Sequence, residues 1–399
     1  SFDEFYRLLP TNTQVRLFLA NSYVRAGRYS EADEHLDFLL NIFPEHPFIN
    51  QLKGLVFYQN GEYESALGHT DKAIQNGLNV PSNKIVAGLS AFKLKQYERA
   101  HHFLITIEES LSSTHPVRKV LAVVQLKLGY SSEAGSTLQV MDGATAEDIN
   151  LFTTASFELL KAGKFQEAKA LVTKTNDMSI NNPQDIAKIG ILKLSMNDLE
   201  GIADLEKASE IDPDLPIAKF ALASAYIQNK EYDKALTLAE KWKETDKNQV
   251  EGYNLAAKIL LLQNEIEKAE NELNLALAIN EYNPYSIIYF TTKEFANKNY
   301  KKSLVIVEKL LDKSPYHLAG LRLQYKASKV IGKVDLAIDR IEKSFTDNPE
   351  NKRYLTLYAE VLFIEKNYRK VIDLLSNVAS ENMTQPVYWV LLGDSYMKL

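Results

Sequence analysis

Five basic side chains recur toward the C-terminal end of the sequence at spacings that suit the capture of an acidic group. They are Lys258, Arg322, Lys326, Lys329 and Arg353. Residues three or four apart share one face of a helix, and Arg and Lys bind carboxylates through charge-assisted hydrogen bonds. The pattern predicts a clamp for a carboxylate or an acidic segment, partly neutralised by Glu360. A solvated basic face without a ligand is the alternative.

Aromatic side chains concentrate in the stretch between residues 282 and 300. The members are Tyr282, Tyr285, Tyr289, Phe290, Phe295 and Tyr300. Aromatic faces stack on sugar rings or anchor peptides, although packing between helices is their usual role. Tyr285 and Phe295 share the register of the basic residues, which makes them the candidates for ligand contact.

Catalytic and metal-binding patterns are missing from the sequence. It contains no glycine-rich phosphate loop, no HExxH pair and no G-x-S-x-G elbow. His101 and His102 are adjacent, and adjacent helical residues point about 100° apart, which makes them poor joint ligands for one ion. The chain has no cysteine, so disulfides, thiol catalysis and thiolate metal sites are excluded. We therefore expect a protein that is not an enzyme and that has no metal or cofactor.

Composition narrows the classes further. The chain has 399 residues, of which 45% are hydrophobic and 25% charged, as in ordinary soluble proteins. This length exceeds that of most single cores, so several domains or a repeat array is expected. The formal charge of −6, with both signs interspersed, lacks the basic excess that nucleic-acid binding needs. No apolar run approaches the roughly 18 residues of a membrane span, so we expect no transmembrane segment.

A repeat of 34 residues organises the whole sequence. One register reads Ala32, Ala66, Ala100, Ala134, Ala168, Ile202, Ala235, Ala269, Ser303, Ala337 and Val371. Every step is 34 residues except one of 33, and eight of the eleven positions are Ala, far above chance. Three residues earlier, seven of eleven positions are aromatic. The period is therefore a structural unit.

Each repeat is predicted to be a helical hairpin. Two stretches of helical apolar spacing, such as 15–26 and 29–42, are separated by a turn containing Gly or Asn. Twelve residues before each register position lies a second line of mostly small residues, to which the large Tyr325 is the exception. Small residues in both lines predict two helices that cross closely.

These residues resemble the tetratricopeptide repeat (TPR), whose pattern is W-x2-L-G-x2-Y followed by A-x3-F, A and P. Trp389, Leu392, Gly393 and Tyr396 match its first helix in full, and the segment from Ala20 to Pro44 matches most of one repeat. The resemblance implies an all-α fold, namely a right-handed superhelical solenoid of antiparallel helix pairs. Residues 1–10 would end a preceding repeat, 11–385 would form eleven repeats, and 386–399 would be the first helix of a truncated twelfth. We expect the chain to be an excerpt of a longer protein.

The resemblance also locates a ligand surface on the inner wall, which the first helices of such arrays line. Several inner positions are apolar, including Leu17, Leu55, Leu89, Phe157 and Phe220. They would bind a peptide or a partner helix, or they would be covered by neighbouring repeats. TPR domains that capture peptide C-termini use Lys, Arg and Asn on successive first helices, which adds Asn254 to the basic candidates.

A finer resemblance concerns stretches such as GIADLEKASEIDP from Gly201 and EGYNLAAKILL from Glu251. They look like the long TPR lipoproteins of bacterial PEP-CTERM and exosortase systems, which are linked to exopolysaccharide production. This implies a lipid-anchored periplasmic protein, with a cytoplasmic location as the alternative.

The expected function is a non-catalytic scaffold that binds protein or peptide partners, including partners with acidic or C-terminal carboxylate groups. Two other functions stay open. One is direct binding of a carbohydrate polymer, and the other is service as the helical interaction region of a larger multidomain enzyme.

Overall fold

The fold is built from helices throughout the part that is described. The computed structural model describes residues 6–8, 10–245, 249–376 and 386–399, and within these ranges it contains helices and no strand. The predicted all-α class is confirmed. None of the helices in these ranges is long and apolar enough to span a bilayer.

The helices alternate between first and second members of a pair, joined by short connections. In the described ranges they are α1 Thr13–Arg25, α2 Tyr29–Ile42, α3 Pro47–Gln59, α4 Tyr63–Gln75, α5 Pro81–Lys93, α6 Tyr97–Ile105, α7 Val117–Lys127, α8 Ser131–Gln139, α9 Ile149–Lys161, α10 Phe165–Thr175, α11 Pro183–Ser195, α12 Glu200–Ile211, α13 Pro216–Gln228, α14 Tyr232–Thr245, α15 Val250–Leu262, α16 Ile266–Ile279, α17 Pro284–Ala296, α18 Tyr300–Lys313, α19 Leu318–Val330, α20 Asp335–Thr346, α21 Lys352–Ile364, α22 Tyr368–Ser376 and α23 Pro386–Lys398. Odd numbers are the first helices of the 34-residue repeats. Residues 246–248 and 377–385 of the predicted array, and residues 1–5 and 9 of the predicted preceding repeat, lie outside the described residues.

One backbone feature recurs between the two helices of all eleven repeats. The residue seven positions after the small-residue line has a positive φ, and we call it the linker residue. The linker residues are Gly27, Gly61, Lys95, Gly129, Gly163, Asn197, Lys230, Asn264, Lys298, Gly332 and Lys366. A left-handed residue ends a helix by turning the chain away and satisfying its last carbonyl groups. The period of the sequence is therefore also a period of backbone conformation.

The paired helices approach each other most closely at the small-residue line of the first helix, which we call the crossing position. A Cβ atom added at Gly54 would lie 2.7 Å from Thr70 Cγ2, and one added at Gly190 would lie 2.8 Å from the carbonyl oxygen of Gly201. Contacts this short leave no room for a larger side chain. The packing therefore requires glycine in these two repeats, and the close crossing of the two helices that the sequence predicted is observed there.

The chain divides into two compact units, residues 1–222 and 223–399. In each unit a first helix contacts its own second helix and the first helix of the next repeat. Unit 1 buries side chains such as Leu36, Leu121 and Phe152 completely, and unit 2 does so with Leu321 and Ile341. Each core is therefore formed by side chains from several repeats, as a stacked array requires.

The linker residues allow a direct test of this backbone requirement. Gly61→Ala is expected to lower the free energy of unfolding by about 1 kcal/mol, because an L residue at this φ of +83° is strained. Gly68→Ala is the control, since it lies inside α4 and, like Gly61, has open space around a new Cβ. It should stabilise by up to about 1 kcal/mol through helix propensity. Urea unfolding measures both changes in the free energy of unfolding. Equal changes in the two variants would show that the left-handed conformation at Gly61 places no special demand on its residue.

Candidate functional site

The first helices of unit 2 carry the basic, amide and aromatic residues that the sequence selected for ligand contact. Asn254 and Lys258 lie on α15, Tyr285 and Phe295 on α17, Arg322, Lys326 and Lys329 on α19, and Arg353 on α21. We call this set the basic face. Successive first helices α17, α19 and α21 contact one another, so the face is continuous across three repeats.

Three cations of the basic face have no carboxylate partner among the described residues. Lys258, Lys326 and Arg353 are exposed, and none of them takes part in an ion pair within those ranges. Their charges are therefore available to a ligand. An exposed ammonium or guanidinium group attracts an acidic partner at long range and then binds its carboxylates.

The other two cations are engaged with carboxylates from the next repeat. Arg322 Nη2 lies 3.1 Å from Glu360 Oε2, and Lys329 Nζ lies 2.7 Å from Glu365 Oε1. The predicted partial neutralisation by Glu360 is confirmed. The sequence did not predict the contact of Lys329 with Glu365, because Glu365 directly follows α21 and lies outside its helical register.

Glu365 is held by two donors. Lys329 and the Tyr325 hydroxyl, 2.6 Å from the same Oε1 atom, lower the pKa of this carboxyl group. The carboxylate form therefore persists below the ordinary range of Glu, and Lys329 stays paired there. Of the five predicted basic residues, two serve contacts between repeats and three are free for other partners.

Asn254 contributes to packing in addition to any ligand contact. Asn254 Oδ1 accepts a hydrogen bond of 2.7 Å from Nδ2 of Asn283, and its own Nδ2 donates back over 3.3 Å. Asn283 is 1% exposed and caps α17 by accepting from the Tyr285 backbone N–H. The amide pair thus joins α15 to the start of α17 and positions Tyr285 beside it.

The two candidate aromatic residues differ in availability. Tyr285 is 37% exposed, whereas Phe295 is half-buried and its ring packs edge-on against Tyr300 at 5.3 Å. Tyr289, nearby, donates to Glu270 over 3.0 Å, and burial together with this bond raises the pKa of its hydroxyl to about 12. Tyr285 alone of the pair offers an exposed surface to a ligand.

The apolar inner positions of unit 1 are mostly covered by packing. Leu17 and Leu55 pack on the core of the first two repeats, and Leu89 packs on a core between α6 and α7. Phe157 and Phe220 are the exceptions in this unit, at 54% and 50% exposure. The alternative that neighbouring repeats cover this wall therefore describes most of it.

The histidine pair has structural contacts. The ring of His101 lies edge-on to Tyr130 at 5.3 Å, and that of His102 lies edge-on to Phe103 at 5.6 Å. Within the described part of the chain, no three side chains of His, Asp or Glu are grouped so as to hold a metal ion.

Comparison with known proteins identifies the repeat. Residues 18–78 and 199–259 each match a tetratricopeptide repeat model. A TPR repeat-containing protein of Methanocaldococcus jannaschii is 22% identical over 395 residues, covering 96% of this chain. The chain spans 60% of the length of that relative. The chain thus contains tetratricopeptide repeats, a fold that commonly mediates protein–protein interactions.

Three solved structures align with the chain at low identity and with TM-scores below 0.5. The structure of Naa15/Naa10 bound to HypK-THB matches with 12% identity and a TM-score of 0.46, over 97% of this chain and 73% of that one. The Cut9-Hcn1 hetero-tetramer has 14% identity and a TM-score of 0.38, over 99% and 92%. A tetratricopeptide repeat protein from Parabacteroides merdae has 17% identity and a TM-score of 0.39, over 63% and 99%.

The amide pair at α15 and α17 can be tested against a simple helix cap. Asn283→Ala should cost about 2–3 kcal/mol of unfolding free energy, because it removes the cap and leaves the buried face of Asn254 without its partner. Asn351→Ala removes the exposed cap of α21, whose Oδ1 accepts from the Arg353 N–H over 3.0 Å. This control should cost only about 1 kcal/mol. Urea unfolding of both variants measures the difference, and equal losses would show that the pair adds nothing.

Proposed function

We propose that this chain is a non-catalytic scaffold that binds acidic peptide segments of partner proteins on the basic face of unit 2. The supporting observation is the set of three exposed cations, Lys258, Lys326 and Arg353, which have no carboxylate partner in the described ranges. They lie on first helices of an array whose repeats commonly bind proteins.

The pairs Arg322–Glu360 and Lys329–Glu365 shape the proposed site. They hold two cations in place between α19 and α21, so a ligand carboxylate meets an ordered surface. A ligand that reaches Arg322 competes with Glu360 for it. The site therefore favours segments with several acidic groups, or with an acidic residue beside a C-terminal carboxylate, over a single charge.

Peptide binding tests the proposal. Charge reversal of Lys258, Lys326 and Arg353 to Glu should weaken binding of a labelled acidic peptide with a free C-terminus by roughly tenfold or more. Fluorescence anisotropy measures the affinity, which should also fall as salt rises because exposed charges are screened.

The matched control reverses three exposed lysines on second helices, Lys301, Lys343 and Lys370. It changes the net charge by the same amount on a different surface and should leave the affinity within about twofold, since surface charges away from a site act weakly. An equal loss of peptide affinity in both triple variants would mean that only the net charge of the protein matters, and it would overturn the proposed site.

Glu360→Gln tests the competition at Arg322. The substitution keeps the shape of the side chain and removes its charge, so binding of the acidic peptide should tighten by roughly two- to fivefold, the range of an exposed ion pair. Glu350→Gln, on the exposed segment before α21, serves as the control. Weaker binding in Glu360→Gln would mean that the Arg322 pair supports the site and does not compete with the ligand.

Direct binding of a carbohydrate polymer is the second candidate, and its support is the exposed ring of Tyr285. Stacking on a sugar ring is insensitive to salt, unlike carboxylate capture. Recovery of a polysaccharide that binds equally to the charge-reversed protein, and no longer binds to Tyr285→Ala, would favour this function over the peptide scaffold.

The cellular role is proposed from the finer sequence resemblance alone. We place the scaffold in bacterial envelope or exopolysaccharide export and assembly, in the periplasm and lipid-anchored through another part of the protein. The two repeat matches and the relative support only the presence of the repeat, and this cellular role does not rest on them. Fractionation of native cells tests the location, and recovery in the cytoplasmic fraction would support the alternative location.

A further inference from the structure

Tyr325 occupies the crossing position, which every other complete repeat fills with Gly, Ala, Ser or Thr. The equivalent position is Gly54 in the second repeat and Gly88 in the third, where an added Cβ would lie 2.7 Å from Thr70 Cγ2 and 2.5 Å from Leu104 Cδ2. A phenol ring at this crossing position cannot fit between helices packed so closely. The helices of the tenth repeat, α19 and α20, must therefore pair differently.

The side chain of Tyr325 is nonetheless buried and anchored. It is 5% exposed, belongs to the core of unit 2, and donates its hydroxyl to Glu365 Oε1 over 2.6 Å. The ring is thus held in place from the α21 side.

A groove of about 380 Å³ lies between α18, α19 and the start of α20, and on α19 it is lined by Gln324, the residue before Tyr325, and by Ser328. Its volume falls at the lower end of the range for small-ligand pockets, roughly 300–1,000 Å³. Aliphatic side chains line part of it, namely Leu304, Ile331 and Leu336, and the remaining lining is polar. The groove therefore suits a ligand with a short apolar stem and a polar end.

One polar atom of the lining lacks a partner. Gln324 is 1% exposed, and its Nε2 donates to Glu308 Oε1, whereas its Oε1 is buried and accepts no hydrogen bond. The carboxylate of Glu308 can only accept a hydrogen bond, so the amide nitrogen of Gln324 must face it. The amide oxygen of Gln324 therefore points away from Glu308. A buried acceptor without a donor is costly, about 1–3 kcal/mol. Gln324 lines the groove, so this unsatisfied acceptor belongs to the groove wall.

The charges around the groove favour a cation. Glu308 lies 2.7 Å from Arg340 Nη1, and the other arm of Arg340 faces Asp312 at 3.5 Å. Asp335 lines the groove, is exposed, and has no ion pair in the described ranges. The groove and its rim therefore hold three carboxylates and two cations. The carboxylates are Glu308, Asp312 and Asp335, and the cations are Lys333 and Arg340.

We propose that this groove binds the ammonium group of a lysine side chain presented by a partner protein. The three donors of an ammonium group match the acceptors of Gln324, Ser328 and Asp335, all of which line the groove. The aliphatic stem lies against Leu304, Ile331 and Leu336. This surface is separate from the basic face and has the opposite charge preference. Exposed Lys333 is the competing cation of the chain itself.

The probe for this site is n-butylammonium, which has the stem and charge of a lysine side chain. Titration of the full chain, followed by NMR of the Gln324 side-chain amide, should give a saturable shift that neutral n-butanol does not give. Gln324→Leu should lose at least threefold in affinity, read from the Gly332 backbone amide, because the buried acceptor is gone.

Two further variants separate binding from folding. Lys333→Gln leaves the core untouched and should tighten binding of n-butylammonium by removing the competing cation. Tyr325→Ala introduces the residue that other repeats have here, so α19 and α20 should close and binding should be lost while circular dichroism stays helical. No saturable shift in either the natural chain or Lys333→Gln, or an equal shift with n-butanol, would overturn the proposal.

Discussion

The close crossing of two helices in each repeat is the constraint on which the rest of the structure depends. At Gly54 and Gly190 the partner helix lies so near that a single added carbon atom would collide with it. This distance sets how the second helix presents its apolar side chains to the next repeat, and therefore whether successive repeats share a core. A repeat that breaks the rule, as the tenth does with Tyr325, must compensate elsewhere, and it does so through Glu365 in the following repeat.

The ion pairs of unit 2 follow the same logic of contact between neighbours. Arg322 and Lys329 on α19 reach Glu360 and Glu365 of the next repeat, so two cations of the proposed site also link adjacent repeats. A partner that draws Arg322 away from Glu360 would loosen the contact between α19 and α21. On the proposed function, binding and the contact between adjacent repeats would thus be coupled through shared side chains.

Most of the fold was predictable, because a 34-residue period in small residues has few physical explanations. Helical register also placed the candidate residues on first helices and anticipated the contact of Glu360 with the basic face. Register did not reveal that Lys329 pairs with Glu365, since Glu365 lies beyond the helix end, where side-chain direction depends on the linker. Nor did it predict the reciprocal amide pair of Asn254 and Asn283 or the groove beside Tyr325, which arise from packing between repeats.

The linker residues differ between the two units in one respect. In unit 1 they are mostly glycine, whereas in unit 2 only Gly332 is, and Lys230, Asn264, Lys298 and Lys366 hold the same left-handed conformation at the other linkers. Asn adopts this conformation more readily than Lys, for which it is costly. The lysine hairpins of unit 2 therefore retain backbone strain that local opening would release. Brief fraying at Lys298 would loosen the end of α17, where Phe295 of the basic face lies. The helix α19, which carries three of the cations, ends instead at the unstrained Gly332.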